Sequence, residues 1–103
     1  MCDNVELIAA SQVNAFAGPP AGIEFKSNAG FKTATRSSAG LYELELDCKH
    51  HRHEIVVNVT LNNTVAAKVV ASLPSEGNIQ INCFDASNSP VDSPFFITVW
   101  RVK

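Results

Sequence analysis

From Gly40 onward the side chains change character at every second position. In Leu41 to Cys48 the apolar residues Tyr42, Leu44, Leu46 and Cys48 are interleaved with Glu43, Glu45 and Asp47. Successive side chains on a strand point to opposite faces of its sheet, so a period of two predicts a half-buried strand with one oily and one acidic face. Helical spacing would scatter the same residues around every side. The alternation returns in His53 to Leu61, Val65 to Leu73, Ile79 to Cys83 and, less cleanly, Phe95 to Val102.

Breakers divide these runs. Ala17-Gly18-Pro19-Pro20-Ala21-Gly22 interrupts the early chain, because proline cannot donate to a ladder and glycine supplies unusual dihedrals. Before it, Val5 to Ala10 and Gln12 to Phe16 read as two short strands; after it come Ile23 to Lys26 and Phe31 to Thr35. Asn62-Asn63, between two alternating runs, suits a two-residue hairpin with both residues at positive φ. Asp85 to Pro94 is a polar loop with two prolines. Eight or nine strands at about ten-residue spacing predict an all-β fold, an antiparallel β-sandwich of jelly-roll-like outline. With 103 residues the chain fits a single domain over residues 1–103, with irregular strands and loops in 1–35 and regular strands in 36–103.

The closing strand is apolar on both sides. Phe95, Ile97 and Val99 alternate with Phe96, Trp100 and Val102, and Val56 and Val70 interrupt otherwise polar faces. A strand that is oily on both sides has one side on the core and needs a cover for the other. Phe96, Trp100 and Val102 are therefore the candidate subunit interface, with an N-terminal loop of the same chain as the alternative cover.

Composition narrows the partners. A formal net charge of −2 provides no basic field for phosphates, so nucleic acid is not expected. No stretch reaches the roughly 20 apolar residues that span a bilayer, so no membrane insertion is expected. Met1-Cys2-Asp3-Asn4-Val5-Glu6 lacks a basic segment followed by an apolar run, and the chain reads as made without a signal peptide. Cys2, Cys48 and Cys83 are odd in number, which argues against a disulfide scaffold. Cys48 and Cys83 continue the apolar faces of their strands and read as buried thiols, with a bridge between them left open.

Ser38-Ala39-Gly40-Leu41-Tyr42-Glu43-Leu44-Glu45-Leu46, the strand Asn78 to Phe84 running into Asp85-Ala86-Ser87, and Val91-Asp92-Ser93-Pro94-Phe95-Phe96-Ile97-Thr98-Val99-Trp100 are the most distinctive runs. Together they resemble the small C-terminal head domains of bacteriophage tail fibres and related virion proteins. Those domains carry a glycine-led strand, a strand ending in Phe-Asp, and an Asp-led aromatic closing strand. More loosely, the outline is similar to the trimeric C1q- and tumour-necrosis-factor-like jelly rolls. The resemblance implies a homotrimer made in the host cytoplasm and placed in a virion, as a tail-fibre head, adhesion or capsid decoration module. Its partners would be copies of itself, other virion proteins or a cell-surface glycan.

Chemistry is sparse. His51 and His53 stand two apart in Lys49-His50-His51-Arg52-His53-Glu54, so on extended backbone both imidazoles project from one face and can share a divalent metal, the one cofactor the sequence admits. Three copies about an axis would supply six such ligands. The bland reading of the cluster is a solvated turn. Ser37, Ser38, His50, His51, His53, Asp85 and Asp92 make a triad only on paper, with no nucleophile elbow, and no enzyme is expected. Two other functions stay open: a carbohydrate-binding β-sandwich using Trp100 beside Asn88 and Asp92, and a metal-binding β-domain of a host cell protein.

Overall fold

A computed structural model describes residues 5–16, 22–48, 54–61 and 66–102. Its eight strands are β1 (Val5–Phe16), β2 (Gly22–Ala29), β3 (Phe31–Ser38), β4 (Leu41–Leu46), β5 (Ile55–Leu61), β6 (Lys68–Ser75), β7 (Asn78–Phe84) and β8 (Phe95–Val102). They form two four-stranded antiparallel sheets, ordered β2-β1-β8-β5 and β3-β4-β7-β6, which pack face to face as a sandwich. The all-β sandwich read from the alternation is the fold.

The core follows from the period of two. Tyr42, Leu44 and Leu46 of β4, Ile79, Ile81 and Cys83 of β7, and Phe95, Ile97 and Val99 of β8 all point inward and are buried. Ala9, Ser11 and Val13 complete this layer from β1. Burying each large apolar side chain contributes about 2 kcal/mol against the entropy of ordering the chain. Tyr42 and Phe95 meet across the two sheets with ring centroids 5.6 Å apart.

Three expectations are corrected. The two short strands foreseen before residue 17 are one strand, β1, which stays continuous through a bulge: Leu7 pairs with Trp100 and Ala9 with Val99, so Ile8 is the extra residue. The hairpin expected at Asn62-Asn63 does not join neighbours, because β5 pairs with β8 while β6 pairs with β7 in the other sheet. The inward residues of β5 match those of β8, and that long-range pairing overrides the local turn signal; residues 62–65 themselves lie outside the described residues. Cys48 is exposed, since β4 ends at Leu46 and the alternation continues past the sheet, and both Cys48 and Cys83 are free thiols.

The chain passes from one sheet to the other between the edge strands β2 and β3 with a single residue, Gly30. Its φ of +88° belongs to the left-handed region, and a Cβ placed there would lie 2.3 Å from the Ile8 carbonyl oxygen. Only glycine fits a corner that is both left-handed and pressed on the β1 bulge. Gly30→Ala is expected to cost at least about 2 kcal/mol in urea unfolding; an unchanged midpoint would show that the corner relaxes.

Candidate functional site

β8 arrives at the centre of its sheet by a crossover from β7, and that crossover is built from polar residues. Asp85 closes its first turn, accepting hydrogen bonds from the N–H groups of Ser87 at 2.8 Å and Ser89 at 3.0 Å. Asn88, at a φ of 66°, carries the turn round. The Val91 N–H then donates to the Cys83 carbonyl at 3.0 Å. Asp92 follows and fixes the crossover to the opposite sheet.

Asp92 Oδ1 accepts from the Tyr42 hydroxyl at 2.7 Å, the Gly40 N–H at 2.9 Å and Arg36 Nε at 3.0 Å. Its Oδ2 accepts from Arg36 Nη2 at 2.9 Å. Arg36 and Tyr42 face each other across β3 and β4, and Gly40, at a φ of +71°, turns the chain between these strands. The Tyr42 oxygen in turn accepts from the Ser93 N–H at 3.3 Å. A carboxylate with only 6% of its side chain exposed thus meets donors from three residues of one hairpin. Burial alone would raise the Asp92 carboxyl; the hydrogen bonds from Arg36, Gly40 and Tyr42, helped by the guanidinium charge, outweigh it and hold the group down at about 2. Burial, followed by the bond to Asp92, pushes the Tyr42 phenol up. Burial likewise pushes the Cys83 thiol up to about 11. With both oxygens occupied, Asp92 is suited to fastening and poorly placed for acid–base work.

That fastening presents the outer face of the β2-β1-β8-β5 sheet, which reads as cross-strand rows. Ser27, Gln12, Phe96 and Thr60 form the first row, and Ala29, Ala10, Thr98 and Asn58 the second. Leu7, Trp100 and Val56 make the third, with Val5 and Val102 closing the end. Directly opposed side chains on neighbouring strands lie about 5 Å apart and diagonal ones about 7–8 Å, within reach of an indole, so the last two rows form one apolar patch. Leu7 is 50% exposed and Val56 47%, whereas Trp100 is half-buried and donates Nε1–H to Thr98 Oγ1 at 3.3 Å. Arg101, which alternates with Trp100 and Val102 and so projects from the other side of the sheet, bridges Glu54 at 3.3 Å and Glu6 at 3.6 Å.

The other outer face is different in kind. Thr33 and Thr35 lie opposite Glu45 and Glu43, which in turn face Asn78 and Gln80. Val70 is exposed there but sits across from Asn82, without the apolar neighbours that Val56 has.

Among the sequence-predicted residues, Trp100 and Val102 come together on one patch, joined by Val5, Leu7 and Val56. Phe96 shares their face but is held apart by the Thr98 row. Among the described residues β1 does not cover this face, because it lies beside β8 within the same sheet. Trp100 is flanked by Leu7 and Val56, away from Asn88 and Asp92 of the crossover, which removes the polar surround imagined for a sugar platform there. His51 and His53 lie outside the described residues, and among the described residues no three of His, Cys, Asp and Glu stand together as a metal site. Val5 and Leu7 were missed because the β1 bulge shifts their facing by one residue. Set against known protein families, curated proteins and solved structures, the chain matches none.

The Asp92 carboxyl is held at about 2 against an ordinary 3.8, so its contribution is complete above the ordinary value and fades as pH falls toward 2. A depression of that size corresponds to about 2 kcal/mol. Urea unfolding at a series of pH values should show this loss in the parent protein, and Asp92→Asn should be less stable at neutral pH with that part of the acid dependence gone. Parallel pH profiles for the two proteins would exclude the role given to Asp92.

Proposed function

We propose that this protein is a non-enzymatic structural module that works by binding, assembling with copies of itself through the apolar end of the β2-β1-β8-β5 outer face. A homotrimeric virion component, such as a tail-fibre head, adhesion or capsid decoration module of a phage, is the setting this reading favours. The observation that carries it is the contiguous patch of Val5, Leu7, Val56, Trp100 and Val102, set against an opposite face of threonines, carboxylates and amides. An exposed cluster of this kind, rimmed by polar groups, marks an interaction surface.

A second copy is the fitting occupant. The patch itself is formed by uncharged side chains, so a neighbouring copy can cover it without burying an unpaired charge. Burial of Trp100 and Leu7 supplies the affinity. Among the described residues, Asp92, Arg36 and Tyr42 are spent on one another, and Arg101 is spent on Glu6 and Glu54, which favours binding over chemistry.

Light scattering on a size-exclusion column should find a species of roughly 33 kDa, three times the 11.1 kDa chain, that dissociates on dilution. Leu7→Glu, at a half-exposed position, should still unfold cooperatively, at a midpoint that no longer depends on protein concentration, and should shift the protein to monomer. A parent protein that stays at 11.1 kDa at every concentration would overturn the proposal.

A further inference from the structure

The opposite end of the same face has a different chemistry. Phe96 is 41% exposed, and its row neighbours are hydrogen-bonding rather than apolar: Gln12 on one side, with Ser27 beyond it, and Thr60 on the other. Between β1 and β2 the register slips at Gln12/Val13, and a groove of about 460 Å3 opens beside the phenyl ring. Ala10 and Thr98 lie on its floor, and no charged residue lines it among the described residues. It is a shallow depression, largely open to solvent, of the kind that lays a ring against a surface rather than enclosing it.

The geometry points to a binding site for a neutral saccharide, with a pyranose ring laid on Phe96 and its hydroxyls meeting Gln12, Ser27 and Thr98, which line the groove. The electron-rich face of an aromatic ring attracts the weakly positive C–H groups that cover one face of a pyranose. Equatorial hydroxyls then project sideways in the sheet plane, where the Gln12 carboxamide offers both donor and acceptor and the serine and threonine hydroxyls offer either. An uncharged lining selects against phosphorylated or carboxylated ligands, and a purely apolar ligand would strand these polar groups. The Ala29-Ala10-Thr98 row that floors this groove borders the Leu7-Trp100-Val56 row, so the groove and the apolar patch are neighbouring but chemically distinct parts of one face.

The test is an amide NMR titration with glucose, galactose, N-acetylglucosamine and their β-linked oligomers. Saturable shifts are expected at Gln12, Ser27, Phe96 and Thr98. Phe96→Ala should weaken binding by about tenfold or more, while Phe96→Trp should retain or tighten it. Both variants are at an exposed position, and an unchanged unfolding midpoint will show that they fold. The same shifts should persist in monomeric Leu7→Glu, which separates this site from the assembly reading. Absence of saturable shifts with every probe, shifts that survive Phe96→Ala unchanged, or their loss in Leu7→Glu would overturn it.

Discussion

The bond between Asp92 and the hairpin of β3 and β4 is the constraint on which the sandwich depends. β8 is an inner strand of its sheet, hydrogen-bonded on both edges, yet it is the last strand of the chain and follows a strand of the opposite sheet. Whatever fixes the crossover from β7 therefore fixes the register of β1 and β5 as well. A backbone contact alone would leave this crossover free to slide. A carboxylate gripped by a guanidinium fork, a phenol and a backbone N–H allows one position only. Gly40 belongs to the same device, since a Cβ there would lie 2.5 Å from the Cys83 carbonyl oxygen and 2.8 Å from the Val91 nitrogen. Removing one partner from such a buried group costs more than the net worth of its bonds, because the rest are left without water or a substitute.

With β8 held in place, the two surfaces of the sandwich acquire distinct duties. The β3-β4-β7-β6 sheet turns threonines, glutamates and amides outward and needs no cover. The other sheet turns outward Phe96 in polar company at one end and Trp100 in apolar company at the other. Only the period of two and the bulge at Ile8 decide which side chains appear there. A register slip of one residue would turn Phe95, Ile97 and Val99 to the outside and close both candidate surfaces. Fold and proposed function thus rest on the same register.

Much of this was legible in the sequence. Tyr42, Leu44 and Leu46, or Phe95, Ile97 and Val99, show their inward facing by alternation alone, and the two-sided character of β8 already singled out Phe96, Trp100 and Val102. What stayed hidden was long-range. Nothing near Asp92 announces that Arg36 and Tyr42, more than forty positions earlier, will face it, so a fastening residue looked like one polar loop residue among several. The bulge at Ile8 has no local signature either, and without it Leu7 cannot be paired with Trp100. Asn62-Asn63 misled for the same reason: a turn signal describes two residues, while partner choice is decided by how whole strand faces match across the core. Cys48 followed the alternation in sequence but lay beyond the last residue the sheet could hold.

Trp100 is the chain's single tryptophan and lies in the apolar patch, so its fluorescence reports directly on whether that patch becomes covered. The most direct test follows its emission and acrylamide quenching across a dilution series of the parent protein. Covering by a second copy predicts blue-shifted, weakly quenched emission at high concentration that moves to red-shifted, readily quenched emission on dilution. Emission and quenching that stay the same at every concentration would contradict assembly through this face.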